Sequence, residues 1–173
     1  NQGNTGTLEI SNTGTTGNVV VDAVKFVPTT NEIIQDAQNT SGITITGSWA
    51  PGTTTPGFYG TDYLGDGDSA KGSKSVRFSP LISQAGYYEV FTRWTSGDNR
   101  ANEVPIEIVH SGGTTSVSVD QRNNGGRWIS LGLYNFNAGS AGNVLISNAG
   151  TQGHVVVDAV RFVRQVILDN SAA

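Results

Sequence analysis

The chain has 173 residues, with 10 lysines and arginines against 14 aspartates and glutamates, a formal net charge of −4 and a pI of about 5.0. That balance argues against nucleic acid or an anionic membrane surface as a partner, and no apolar run approaches the length needed for membrane insertion. Charged residues are only 14%, glycines number 23 and cysteine is absent, which points to a turn-rich β protein without disulfides.

No window sustains an apolar i, i+3, i+4, i+7 pattern, so the elements are read as strands. Residues 1–6 are a lead-in. Residues 7–11 and 18–27 predict a hairpin closed by a glycine-rich turn at 12–17. Residues 28–31 (PTTN) are a linker, 32–36 the next strand, and 43–46 a short alternating strand. Residues 47–75 form a long irregular segment carrying Trp49, Phe58, Tyr59 and Tyr63 among glycines and prolines. A loop of that length in a compact domain is usually functional or folded on itself. Strands resume at 74–78. Residues 86–95 alternate, with Tyr88, Val90 and Trp94 on one face and Glu89 and Arg93 on the other. Residues 104–110 put Val104, Ile106 and Ile108 on one face, and Pro105 predicts an edge or a bulge. Residues 115–121 follow a turn at 111–114, and the NNGG at 123–126 predicts a hairpin into 127–136. A last hairpin is expected over 143–163. Short strands at this spacing predict an all-β, antiparallel, jelly-roll-like β-sandwich.

The last hairpin is also the first. NVLISNAGTQGHVVVDAVRFV at 143–163 matches TLEISNTGTTGNVVVDAVKFV at 7–27, with VVVDAV identical in both. This self-similarity predicts a piece of a tandem repeat array. In that register, residues 1–28 are the closing hairpin of a preceding repeat, 29–165 a complete sandwich and 166–173 the first strand of a following repeat. The linkers at 28–31 and 164–165 are short enough to favour a stiff rod.

Several stretches together resemble the golvesin C-terminal-like domain, also called the xanthan-lyase carbohydrate-binding-like domain. They are IIQDA, GSW, GFYGTDY, GYYEVFTRW, the DQRNNGG at 120–126 with Trp128, and the closing VVVDAVRF. The resemblance covers residues 32–164. It implies a non-catalytic jelly-roll-like sandwich found in bacterial exported proteins, often beside polysaccharide-degrading enzymes.

Trp94 and Trp128 fall on strands with apolar partners and are expected in the core. Trp49, at the mouth of the long loop with Tyr59 and Tyr63, is the candidate stacking platform for a sugar ring. Arg93, Arg100 and Arg127 suit the carboxylates of an acidic glycan; the alternative is solvated faces or ion pairs with Glu89 or Glu103. Asp158, like Asp22 in the other copy, is a carboxylate among valines and needs a partner. By analogy with carbohydrate-binding modules of families 6 and 35, Asp36 with Asp158 would hold a structural calcium. The alternative is that Asp158 caps backbone N–H groups or meets Arg122. Asp62, Asp66 and Asp68 lack EF-hand spacing and read as a solvated turn. His110 and His154 make no zinc spacing. GDGDSA at 65–70 fits the dinucleotide pattern only formally, since no helix follows it.

Two functional readings follow. One is an extracellular or cell-surface module that binds an acidic polysaccharide or surface glycan, with no cofactor required. The other is a structural repeat of an extracellular filament, stalk or matrix protein, whose partners are further copies joined head to tail by strand complementation. No nucleophile, acid/base pair or cofactor motif supports an enzyme.

Overall fold

The computed structural model describes residues 8–22, 32–38 and 41–165. It contains β1 (Glu32–Asp36), β2 (Ile43–Thr46), β3 (Ala50–Gly52), β4 (Tyr63–Gly65), β5 (Ser75–Phe78) and β6 (Gly86–Arg93). These are followed by β7 (Val104–His110), β8 (Gly113–Val119), β9 (Ile129–Phe136), β10 (Asn143–Ser147), β11 (Val156–Val157) and β12 (Ala159–Arg164). Among the described residues there is no helix, hence none long and apolar enough to cross a membrane.

A four-stranded sheet in the order β1-β12-β6-β9 packs on a five-stranded sheet in the order β2-β5-β10-β7-β8. A small sheet, β11-β4-β3, folds the long loop onto one end. The ladders are antiparallel. The predicted alternation holds in detail: Val90 on β6, Ile106 and Ile108 on β7, Ile146 on β10 and Phe162 on β12 are buried between the sheets. Phe136 stands edge-on to both Tyr88 and Phe162, at 5.9 and 5.7 Å between centroids. Each such side chain contributes about 1.5–3 kcal/mol by leaving water.

Four expectations about strands and turns are corrected. The 143–163 segment is not a hairpin: β10 pairs with β5 and β7, whereas β12 pairs with β1 and β6 in the other sheet. Its backbone leaves one sheet, turns through the partly exposed stretch 149–154, is buried from Val155 and breaks at Asp158 before entering the second. The NNGG stretch is likewise a crossover, since β8 and β9 lie in different sheets. Its loop wraps Trp94, whose indole N–H donates to the Asn123 carbonyl and whose own carbonyl accepts the Gly126 N–H. Asn124 and Gly126 take left-handed backbone, φ 60° and 75°, which Asn and Gly tolerate best. Pro105 lies on an interior strand, not an edge. The β10 ladder ends at Ile106, so its missing N–H costs no bond there. Lastly, residues 8–22 form no strand and are exposed; the rest of that predicted hairpin and the strand expected at 166–173 lie outside the described residues.

Asp66, expected in a solvated turn, is buried. One oxygen accepts the N–H groups of Asp68 and Val155; the other accepts Lys71 Nζ at 2.8 Å and the Asn148 amide at 3.2 Å. Burial pushes its carboxyl up, but the Lys71 bond and these N–H donors hold it below the usual range. Asn148 extends the network, accepting the N–H groups of Gly72 and Lys74 and donating to the carbonyls of Ser69 and Ala70. The 66–74 loop is thereby tied to the closing segment. Asp66→Ala removes four hydrogen bonds at a buried carboxylate, leaves the buried Val155 N–H without that acceptor and should cost about 3 kcal/mol in a denaturant melt. Asp68→Asn, at an exposed position, should stay within about 0.5 kcal/mol. Equal effects would mean that Asp66 is not the tie.

Candidate functional site at the loop end of the sandwich

Three loops meet where β1, β6 and β8 end. Residues 53–62 touch the 120–128 loop through the close approach of Gly57 to Gly126. Residues 94–103 bond the 120–128 loop through Gln121 N–H to the Ala101 carbonyl, at 3.0 Å. Gly125 lies so close to Ser96 that a Cβ there would meet its nitrogen at 2.4 Å. The DQRNNGG motif is therefore a close-packed crossover at the centre of this end.

On the outer face of the four-stranded sheet, the register sets Arg161 beside Phe91, and Phe91 beside Ser130. The Arg161 guanidinium lies over the rings of Phe91 and Trp128, at 4.4 and 4.9 Å from their centroids. Arg93 approaches Trp128 at 5.9 Å, and Tyr59 packs against it at 5.6 Å. Such cation–ring contacts fix the arginines in place. Trp128 is half-buried on this face and does not belong to the interior, contrary to expectation. It precedes β9 at the outward phase, so its ring lies over the sheet's outer side. Trp94, by contrast, is in the core at 2% exposure.

The expected trio of Trp49, Tyr59 and Tyr63 is not brought together. Trp49 packs partly on the main core and donates its indole N–H to the Thr46 carbonyl. Tyr63 is buried with Trp94 and Val156, because β4 is pinned between β3 and β11. Only Tyr59 reaches the outer face. Arg93 and Arg100 anchor the long loop: Arg93 Nε donates to the Gly57 carbonyl at 2.9 Å, and Arg100 Nη2 to Thr55 Oγ1 at 3.3 Å. Arg161 was missed by sequence reasoning, although a signal exists. The two copies of the closing segment keep a cation there, Lys25 and Arg161.

Beside this face, between the edges of β8 and β9, lies a groove of about 400 Å³. Val117, Val119, Ile129 and Leu131 line its sides, and Asp120 and Asn124 are among its polar rim.

Behind Tyr59 sits Asp158, fully buried. Its two oxygens accept the Tyr59 N–H at 3.1 and 3.0 Å, and Arg93 Nε lies 3.7 Å from Oδ2. Arg122, the other partner considered, pairs instead with Asp120 at 2.9 Å. Burial pushes the Asp158 carboxyl up to about 7; the Tyr59 bond and Arg93 oppose this, while the charges of Asp36 and Asp62 add to it. Asp36 shifts upward too, by burial first. Asp36 and Asp158 are close neighbours, with the Ala37 N–H bonded to the Asp158 carbonyl at 2.7 Å. Calcium takes about six to eight oxygens. Among the described residues no three acidic or imidazole groups converge on a point that would hold a metal. With Asp158 committed to Tyr59 and Arg93, the pair does not form a calcium cage.

A native carboxyl near 7 holds a proton that the unfolded chain, with an ordinary value of about 3.9, has released over the intervening range. Its stabilisation is therefore complete below about pH 4 and is lost as pH rises through about 7. The melting midpoint should fall between about pH 5 and 7, and Asp158→Asn should flatten that fall while keeping an acceptor for Tyr59. Parallel pH profiles for the two proteins would rule out Asp158 as the titrating group.

Residues 33–164 match the model of the golvesin C-terminal domain family. Xanthan lyase of Bacillus sp. (strain GL1) is 43% identical over 139 residues, which are 79% of this chain and 15% of that protein. The solved structure of Paenibacillus xanthan lyase superposes with a TM-score of 0.77 at 43% identity, over 79% of this chain and 13% of that one. The fold alone is shared with a CBM35 from Paenibacillus barcinonensis, at TM-score 0.56 and 16% identity, over 77% of this chain and 99% of that one. The match extends over the two packed sheets and the loop end that joins them, and on that footing the chain belongs to the golvesin C-terminal domain family.

Proposed function

We propose that the chain is a non-catalytic carbohydrate-binding module, acting outside the cell, that takes an acidic polysaccharide across the Trp128–Arg161 face. One observation carries this: a half-buried tryptophan on the outer face has two guanidinium groups over it and a tyrosine beside it. A pyranose presents an apolar C–H face that suits an aromatic ring, and a carboxylate suits the planar donor fork of arginine. Arg161 retains donor capacity, because its ion pair with Glu32 is long, at 3.9 Å. Similarity to a module of xanthan lyase supports a polysaccharide ligand, and the CBM35-like fold is consistent with it. Asp158, which lies behind the face, is committed to the Tyr59 N–H and Arg93.

A second reading is a building block of an extracellular filament or stalk, joined head to tail to further copies. It draws on the exposed Val19, Val20 and Val21, which repeat a sequence buried elsewhere in the chain. Filaments in electron micrographs of the full-length protein would favour it, and discrete particles would count against it.

Affinity electrophoresis in gels containing xanthan or a neutral glucan tests the first reading. Trp128→Ala combined with Arg161→Ala should abolish retardation by the acidic polymer, each at under about 1.5 kcal/mol in stability. Trp94→Ala should instead destabilise by about 3–5 kcal/mol, as for a core aromatic. Unchanged retardation in the double variant, or equal retardation by acidic and neutral polymers, refutes the assignment.

A further inference from the structure

We propose that residues 7–27 are a second closing segment for the same sandwich, able to take the place of residues 143–163 within one chain. The interaction surface is the slot now filled by β10, β11 and β12, and its alternative occupant is a segment of this chain.

The buried positions of the seated copy carry the argument. Ile146, Asn148, Thr151, Val155, Val156, Val157, Asp158, Val160 and Phe162 are buried. Each has the same residue in the first copy, from Ile10 and Asn12 through to Phe26. Where the copies differ, the position is mostly half-buried or exposed, as at Leu145, Ala149, Gln152 and Arg161. The exceptions are Asn143, replaced by Thr7, and Val144, replaced by the slightly larger Leu8. Asn143 donates to the Ala141 carbonyl through Nδ2 and accepts from Arg77 through Oδ1, whereas the shorter threonine has one hydroxyl to serve both. These two differences explain why the second copy holds the slot.

The free copy is also shaped for it. In the seated copy Thr151 Oγ1 donates to the Asn148 carbonyl at 2.9 Å; in the free copy Thr15 Oγ1 donates to the Asn12 carbonyl at 2.8 Å. Gly150 and Gly14 take the same left-handed backbone, φ 67° and 80°. The turn that joins the two halves of the segment is thus already made, while Val20 is left 86% exposed.

The connection closes as well. β12 runs antiparallel to β1 with Val163 opposite Glu32. The residue matching Val163 is Val27, and four residues, 28–31, separate it from Glu32. Four-residue connections are common in antiparallel hairpins. Seated in the slot, the first copy would enter β1 by such a turn, giving a circularly permuted version of the fold with residues 143–163 released. The surplus segment then becomes available to a neighbouring unit.

The test uses the full chain. Val156→Asp puts a charge at a buried position of the seated copy, and Val20→Asp does the same in the free copy. Val20→Asp alone should leave the melt unchanged. Val156→Asp alone should keep one cooperative unfolding transition at a lower midpoint, and the two together should abolish it. The chain has no native cysteine, so a disulfide reports the exchange. Leu145 is opposite Glu107 in the β10–β7 ladder, and its counterpart is Glu9. With Glu9→Cys and Glu107→Cys added to Val156→Asp, a bond should form within one chain. If Val156→Asp alone is as unfolded as the double variant, the proposal fails. It also fails if both remain folded, or if the bond does not form or joins two chains.

Discussion

The fold depends on where the backbone of residues 155–160 finds its hydrogen bonds. All six residues are buried, so every N–H and C=O they carry needs a partner other than water. Ladders supply part of this: β11 pairs with β4, and β12 with β1 and β6. The segment changes sheets at Asp158, and near that crossing side chains act as backbone. Asp66 accepts the Val155 N–H, and its own N–H donates to the Val155 carbonyl. The Gln121 amide accepts the Val156 N–H at 2.8 Å and donates to the Val156 carbonyl at 2.6 Å, as a neighbouring strand would. Residues from two distant loops are thus fixed by one buried strand, and neither can shift without leaving polar groups unpaired at about 1–3 kcal/mol each.

The loop end inherits its rigidity from that strand. Gln121 is anchored to Val156 and to Ala101, which fixes the entry to the DQRNNGG crossover. Asp158 holds the Tyr59 N–H, Arg93 holds the Gly57 carbonyl, and Gly57 presses on Gly126. The aromatic–arginine face is therefore assembled from loops, yet its members are set by buried contacts. A pre-set face loses little entropy on meeting a polymer, which matters for a ligand that brings many freely rotating bonds of its own. The same packing accounts for the charge distribution. Asp158 is placed where its ionised form is disfavoured by burial, so Arg93 is only partly neutralised from below.

Much of the fold was legible in the sequence because period-two alternation reports which face of a strand meets the core. Alternation puts Val104, Ile106 and Ile108 on one face, which is the buried one, and separates Glu89 and Arg93 from the buried face of β6. Topology was less legible. A glycine-rich turn between two strands has the same residues whether the chain folds back in one sheet or crosses to the other; the NNGG stretch and the 143–163 segment were both misread for this reason. The site was less legible still. Trp128 and Trp94 both adjoin alternating strands, and only the wrapping of the crossover around Trp94 separates them. Tyr63 reads as a loop aromatic until β3 and β11 close over its strand. Asp66 reads as a turn carboxylate because its partners, Val155 and Asn148, lie more than eighty positions away.

The repeated hexapeptide shows how far local sequence determines structure. In one copy VVVDAV is fully buried and divided between two ladders; in the other the described part is exposed and forms no strand. Propensity, pattern and the joining turn are the same, so none of them decides the outcome. What differs is access to Asp66, Gln121 and the edges of β1, β4 and β6, which one sandwich can offer only once. β-strand formation here is a property of the slot as much as of the sequence that fills it. A chain that carries two sequences for one slot has competing solutions, and the small differences at Asn143 and Val144 select between them.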